Sequence, residues 1–439
     1  MEKVREQLQV RKERAILVGA PLRGNGFKGD NLVELTALAE TAGAIVVDRF
    51  IQKVTRITPG TYIGRGKAET LRDRVSHFKA DVVIFDNDLS PGQIRELEKI
   101  ISAKVLDRSE LILDIFATRA RTRQARLQVE LAQLQYTYPR LTRMWSHLDT
   151  VTGAAGAGAV GAAGGIGTRG TGEKQLEIDR RIVSRRITEL KRELAGIDKR
   201  KLREIAGRKD MFKICLVGYT NAGKSTLMNA LTDAGVFVED RLFATLDTRT
   251  RKWIVEAGAE VLLSDTVGFV SNLPHHLVAS FKATLEEAVN ADLLLHVVDA
   301  SNENLFEQME SVKTVLTEIG CDKKDTIVLL NKADAIRNIS VLESAQTIHP
   351  DAICISARTG MNLDIVAQRV LARYRGREIR VRVESTPGNG RLQSFLRAHG
   401  KVTREEYGED KVVLEARLGA AQLPALKKLN GAAVTVLED

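Results

Sequence analysis

A phosphate-binding sequence lies at the middle of the chain. Gly218-Tyr219-Thr220-Asn221-Ala222-Gly223-Lys224-Ser225 fits G-x-x-x-x-G-K-[S/T]. It follows the strand-like KICLVG and opens the helix-like TLMNALTDA, which starts at Thr226. Phosphate oxygens need a concave array of backbone N–H groups, and glycines let the chain form one. Lys224 would reach the outer phosphates and Ser225 would ligate Mg2+.

Three further motifs close later strand-like runs in a fixed order. Asp265-Thr266-Val267-Gly268 ends AEVLLSD; Asp265 would hold the magnesium and Gly268 would offer its amide to a γ-phosphate. Asn331-Lys332-Ala333-Asp334 ends TIVLLN. Guanine presents N1–H and an exocyclic N2–H₂, which one carboxylate accepts as a pair, so Asp334 would select GTP over ATP. Asn331 would hold the loop and the base edge, and Lys332 would lay its stem along the base. Ser356-Ala357-Arg358 follows the next strand, where the Ala357 amide could meet guanine O6.

A magnesium threonine must lie between the first two motifs. Phe243-Ala244-Thr245-Leu246-Asp247 supplies Thr245, with Thr248 and Thr250 as alternatives. Phe269 follows DTVG, where many GTPases place a glutamine that orients the attacking water. Phenylalanine cannot hydrogen-bond water, so hydrolysis should be slow alone and should depend on a partner. The catalytic set is therefore Lys224, Thr245 and Gly268. His275 and His276 read as surface residues.

These motifs need parallel strands to carry them. Runs such as AILVG, AIVVD, DVVIF and AKVLD, and later FKICLVG, AEVLLSD and ADLLLHVVDA, alternate with helical stretches and predict two α/β domains. From residue 378 the order becomes strand-helix-strand-strand-helix-strand, which predicts a small α+β ferredoxin-like domain. The 439 residues then divide into an N-terminal α/β domain over 1–116, a basic antiparallel helical hairpin over 117–210, a P-loop GTPase domain over 211–375 and the ferredoxin-like domain over 378–439.

The hairpin carries the charge. Net charge is +9, and residues 117–145 and 173–210 each hold +5, so the rest is nearly neutral. Such a field suits a polyanionic partner. Leu127, Leu131, Leu134 and Tyr138 form one apolar seam, and Val183, Ile187, Leu190, Leu194 and Ile197 another. Between them, Gly153 to Gly172 holds nine glycines in twenty residues and reads as a mobile loop. Candidate RNA-binding residues are Arg169 in that loop and Arg180, Arg181, Arg185 and Arg186 beyond it. Gly24, Gly26 and Gly29 spell GxGxxG ahead of Asp48, but Pro21-Leu22-Arg23 breaks the tight turn a dinucleotide site needs. Three scattered cysteines exclude a disulfide scaffold and a clustered zinc site. No apolar run reaches the about 18 residues of a membrane span, and MEKVREQLQVRKER lacks a signal core. A cytoplasmic protein, monomeric when free, is expected.

The sequence resembles the HflX family of GTPases over nearly its whole length. The resemblance rests on GYTNAGKSTLMN, FATLD, DTVGFV, LPHHLVASFKATLEE and NKAD, and outside the GTPase region on YIGRGKAE, ARLQVELAQLQYTYPRLTRMWSHL and GGIGTRGTGEKQLEIDRR. It implies binding to the large ribosomal subunit and its ribosomal RNA, and GTP- or stress-linked splitting of ribosomes. It also implies Thr245 as a magnesium ligand and Phe269 as the family's hydrophobic substitution. Two departures stand out: Gly170-Thr171-Gly172-Glu173 where the family usually reads GPGE, and the Ala/Gly insertion Ala154 to Ala163. The rival readings are an RNA-binding or assembly module whose GTPase only times release, and an RNA remodeller with a second nucleotide site around Gly24 to Gly29.

Overall fold

Short β-branched runs flanked by glycine and polar turns set the framework. A computed structural model describes residues 12–22, 32–144, 171–206, 211–232, 243, 249–256, 259–270, 285–336, 339–376, 378–408, 410–419, 422–427, 429 and 432–437. The chain forms two compact units, the first on residues up to Ile197 together with Phe243, the second on the other described residues from Asp198 onward.

In the first unit, β1 (Arg14–Gly19), β2 (Ile45–Ile51), β3 (Val82–Phe85) and β4 (Lys104–Asp107) form an all-parallel sheet in the order β2-β1-β3-β4. The VVIF of β3 is buried at every position, as a strand covered on both faces must be. Helices α1 (Leu32–Thr41), α2 (Arg65–Phe78), α3 (Pro91–Ile101) and α4 (Arg108–Arg119) connect or follow the strands. Ser90 and Gln93 close a capping box at the start of α3, with Pro91 at its first position. Asp107 caps α4 and is 1% exposed. It also accepts from the Tyr136 hydroxyl at 2.6 Å and from Arg140 at 2.9 Å, which fastens the next helix, α5 (Arg123–Met144), to the sheet.

Helices α5 and α6 (Thr171–Ala206) form the expected antiparallel hairpin. Leu127 and Leu131 pack with Leu190 and Leu194, flanked by Leu134, Ile187 and Ile197. Its register is visible in the pairs Arg123–Glu193 (3.2 Å), Glu130–Arg186 (2.7 Å) and Tyr138–Arg180 (5.8 Å from ring centre to guanidinium), where rising numbers meet falling ones. Helix α6 begins at Thr171, so the last two residues read as loop are helical. The rest of the glycine-rich stretch lies outside the described residues, as do Arg169 and Gly24 to Gly29. Asp48 lies within β2 and pairs with Arg74 at 2.7 Å, a structural ion pair.

In the second unit a six-stranded sheet has the order β10-β9-β8-β5-β7-β6. Its strands are β5 (Phe212–Gly218), β6 (Arg249–Glu256), β7 (Ala259–Asp265), β8 (Leu293–Asp299), β9 (Thr326–Asn331) and β10 (Ile353–Cys354). All pairs are parallel except β6 with β7. Helices α7 (Lys224–Thr232), α8 (Leu305–Glu318), α9 (Ile339–Ile348) and α10 (Leu363–Arg375) accompany it. Ile214, Leu216, Leu263, Leu293, Leu295 and Leu329 fill one core, so the polar ends of β5, β7 and β9 emerge from a rigid floor.

A third sheet is antiparallel throughout, in the order β12-β13-β11-β14. It comprises β11 (Glu378–Ser385), β12 (Gly400–Tyr407), β13 (Val412–Gly419) and β14 (Ala432–Leu437), with α11 (Gly390–His399) and α12 (Leu423–Lys427) in the ferredoxin-like sequence positions. Among the described residues, no helix is long and apolar enough to cross a membrane.

Candidate nucleotide-binding site

The four sequence motifs come together at the carboxyl ends of β5, β7, β9 and β10, the rim where open α/β sheets bind ligands. Gly218 has φ +151°, and a Cβ there would fall 2.1 Å from the Val297 carbonyl oxygen. Gly223 has φ +95°, and its Cβ would fall 2.3 Å from Asn331 Nδ2. Neither position admits a side chain, so the chain can curl into a phosphate cradle only with glycine at both. Thr220 Oγ1 is buried inside the same loop with no hydrogen-bond partner among the described residues.

Lys224 is 6% exposed. Its ammonium donates to the carbonyls of Gly218 at 3.0 Å and Tyr219 at 2.8 Å, which bends the side chain back over the loop. Burial presses its pKa down to about 8, opposed by the Asp265 carboxylate. An anion in the loop would offset that desolvation. Ser225 Oγ donates to Asp265 Oδ2 at 2.7 Å. A hydroxyl and a carboxylate at that separation are the hard oxygen donors a magnesium ion takes.

DTVGF is laced to the P-loop by backbone. Phe269 N donates to Gly218 O at 3.2 Å and Thr220 N to Phe269 O at 2.7 Å. Thr266 Oγ1 donates to Leu216 O at 2.7 Å. Gly268 sits so close that a Cβ would meet Thr220 Cα at 2.7 Å and Lys224 Nζ at 3.0 Å. Val267 and Phe269 are buried at 7% and 3% exposure, so the Phe269 ring belongs to the core.

At the NKAD end, Asn331 Nδ2 donates to Ala222 O at 2.8 Å and its Oδ1 accepts from the Ala357 amide at 2.9 Å. The amide offered by the sequence to guanine O6 is thus held by Asn331. Lys332 has φ +62° and pairs with Asp299 at 2.7 Å. Asp334 accepts from Ser356 Oγ at 2.6 Å and from the Arg358 guanidinium. Those two partners, Ser356 first, hold its carboxyl below the ordinary aspartate value. Asp299 was not singled out from sequence; its signal was an acid closing the apolar run LLLHVVD.

The loop between the first two motifs is described at Phe243, which is 2% exposed and has φ +55°. Its ring meets Phe116 edge-to-face within the first unit, centroids 4.6 Å apart. Ala244, Thr245, Leu246, Asp247 and Thr248 lie outside the described residues, as do His275 and His276. Thr250 is in β6 and shares a hydrogen bond with Ser264 at 2.9 Å, which engages it in the strand pair.

The basic residues of α6 separate into two groups. Arg186 holds Glu130 through Nε at 2.7 Å and Nη2 at 3.0 Å, and reaches Glu189 and Glu193. It ties the hairpin together. Arg180, Arg181 and Arg185 are exposed.

A glycine-lined phosphate cradle followed by DTVG and NKAD on one sheet rim defines a P-loop GTPase. Residues 213–332 match the family described as 50S ribosome-binding GTPase, residues 29–117 the GTP-binding GTPase N-terminal family, and residues 119–208 the GTP-binding GTPase middle region. GTPase HflX of Lacrimispora saccharolytica is 43% identical over 413 residues, covering 93% of this chain and 94% of that protein. GTPase HflX of Escherichia coli strain K12 is 38% identical over 412 residues, covering 93% and 94%. Among solved structures, the SsGBP–GDP complex covers 82% of this chain and 98% of its own at 26% identity, with a TM-score of 0.46. The chain belongs to the HflX family of GTPases: it binds GTP and hydrolyses it.

Proposed function

We propose that the protein is a magnesium-dependent GTP switch that docks on the large ribosomal subunit through ribosomal RNA and splits ribosomes. The observation that carries the reading is the match of residues 213–332 to a 50S ribosome-binding GTPase family on a chain whose hairpin holds the surplus positive charge. Lys224 and the amides of Asn221 to Ser225 bind the β- and γ-phosphates. Asp334 accepts the two guanine donors and takes them in place of Ser356 and Arg358, while Asn331 holds the loops that flank the base. Ser225, Thr245 and Asp265 would hold Mg2+, which neutralises charge developing on the transferred phosphoryl oxygens. The Gly268 amide would meet the γ-phosphate, and GTP would order the loops that carry Thr245 and Asp265, which hydrolysis would release.

The residue after DTVG has no side-chain group to orient a water, because Phe269 is apolar and buried. The chain therefore binds GTP in a form that waits for a ribosomal group to place the nucleophile. Sedimentation of ribosomes through sucrose gradients with the protein and GTP, GDP or a non-hydrolysable analogue tests the whole reading. GTP and the analogue should move 70S ribosomes into subunits and GDP should not. An unchanged ribosome profile in all three would refute it.

A further inference from the structure

The hairpin carries a built site that its net charge alone does not reveal. A groove of about 510 Å³ lies where α5 and α6 face each other, lined by Tyr138, Arg180, Arg181, Ser184, Arg185 and Thr188. Five of these six come from α6 at spacings that place them on one stripe. Among the described residues no carboxylate lines it, and none of Arg180, Arg181 and Arg185 has an ion pair. Arg186, one residue on, meets three glutamates. The same basic run thus pairs one guanidinium internally and leaves three converging on a groove with no acid among its described lining residues. Three like charges repel one another there unless an anion joins them, and guanidinium forks match phosphate oxygens.

Tyr138 says what else the ligand carries. By spacing it ends the leucine seam of α5, yet the packed cluster contains Leu127, Leu131 and Leu134 and not Tyr138. Its ring is half-buried at the groove, with the Arg180 guanidinium 5.8 Å from the ring centre. An aromatic face beside guanidinium planes is a platform on which an unstacked base can lie. The Thr188 hydroxyl donates to Ser184 O at 3.0 Å and so keeps acceptor capacity for a ribose 2′-OH.

We propose that this groove holds an unpaired RNA nucleotide, its base against Tyr138 and its flanking phosphates on Arg180, Arg181 and Arg185. The inference rests on the reading that the hairpin binds ribosomal RNA and adds that it grips a looped-out nucleotide. A duplex stacks its bases away from such a ring, and an acidic peptide would use the arginines and ignore it.

The test uses the full-length protein with a labelled single-stranded RNA of mixed sequence, the same RNA as a duplex, and poly-glutamate, read by fluorescence anisotropy over a salt series. Single strand should bind more tightly than either competitor. Tyr138→Leu should weaken it about 5- to 160-fold, the span for losing one base–aromatic stack, while Tyr138→Phe retains it. The triple variant R180Q/R181Q/R185Q should flatten the salt slope by about two, near 0.7 for each phosphate left without its guanidinium. GTP affinity and thermal melting should be unchanged in all variants. Should the triple variant not fold, Arg185→Gln alone should flatten the slope by about 0.7. Tyr138→Leu binding single strand like wild type overturns the proposal, and so does equal or tighter binding of duplex or poly-glutamate. A pelleting assay with 50S subunits separates the two readings. Wild type that pellets while the groove variants bind RNA unchanged sinks the groove alone. Wild type that fails to pellet while single-stranded RNA still needs Tyr138 sinks the ribosome reading and leaves the groove standing.

Discussion

Asn331 Nδ2 donates to the carbonyl of Ala222 at 2.8 Å, across 109 residues of chain, while its Oδ1 takes the amide of Ala357 at 2.9 Å. One buried amide side chain therefore fixes the phosphate loop and the SAR loop to the end of β9. Gly223 must stay bare because Asn331 occupies the space its Cβ would take. The P-loop and the SAR loop are positioned by the same residue. Asn331→Ala removes both bonds and strands two buried backbone groups, at about 1–3 kcal/mol each. We expect a destabilisation of about 2–5 kcal/mol in denaturant unfolding, with weaker GDP and GTP binding together. A variant that unfolds like wild type would show that Asn331 joins nothing.

Guanine selection is predicted to reside in Asp334. Its carboxylate is held by Ser356 Oγ and Arg358, the second on an exposed side chain that can move away. Asp334→Asn replaces an acceptor with a donor facing the guanine N2–H₂. GTP affinity should fall by about 2–4 kcal/mol, the scale of breaking a charge-assisted pair, and xanthosine triphosphate should gain, since it offers an acceptor at the altered position. Nucleotide titrations of the two proteins check this, and unchanged GTP affinity would remove Asp334 from the base site.

His296, on β8, is predicted to make the second unit acid-sensitive. Burial presses its imidazole pKa down to about 4, with the charges of His349 and Lys224 adding to the effect. Unfolded, the ring takes a proton near its ordinary pKa of about 6.5; folded, it does not until about 4. The unfolded state thus binds more protons in that window, so stability is complete above pH 6.5 and falls as pH drops toward 4. At about 1.4 kcal/mol per unit, the loss at pH 4.5 is about 2–3 kcal/mol. His296→Gln cannot titrate and should lose less stability than wild type between pH 7 and 4.5. Parallel stability-against-pH curves for the two proteins would assign the acid sensitivity elsewhere.

How much of this was legible in the sequence follows from how each feature is encoded. Most strands of the first two sheets were readable because short runs of consecutive apolar residues, as in β3 and β7, admit little else. The motifs at their ends were readable because glycine and acid at a strand terminus have few other uses. β6, RTRKWIVE, was not read as a strand: it is an exposed edge with Trp253 alone buried, so its residues carry no apolar alternation. The pairs Lys332–Asp299, Asp334–Arg358 and Arg186–Glu130 join residues 24 to 56 positions apart, and no local period marks them. Tyr138 misled by fitting the seam's spacing while facing the groove. Asp48 stood at the right distance from GxGxxG, yet Arg74 holds it.

Phe269 sets the last prediction. Its backbone joins the P-loop through Gly218 and Thr220, and its ring is 3% exposed, so the residue after DTVG is a structural anchor. Two consequences separate. Phe269→Ala should leave a cavity and destabilise the second unit by about 3–5 kcal/mol, with nucleotide still bound because other residues hold the phosphates. Phe269→Gln should place an amide where water attacks in other GTPases, but only if the ring's pocket releases it; the burial here holds residue 269 away, so no gain in intrinsic rate is expected. Wild type should hydrolyse GTP slowly alone and faster with 50S subunits, by the 10³- to 10⁵-fold order that a supplied catalytic group gives GTPases. Phosphate release measured with and without subunits decides it. A fast free protein, or a rate indifferent to 50S, would mean that a residue of this chain already positions the water.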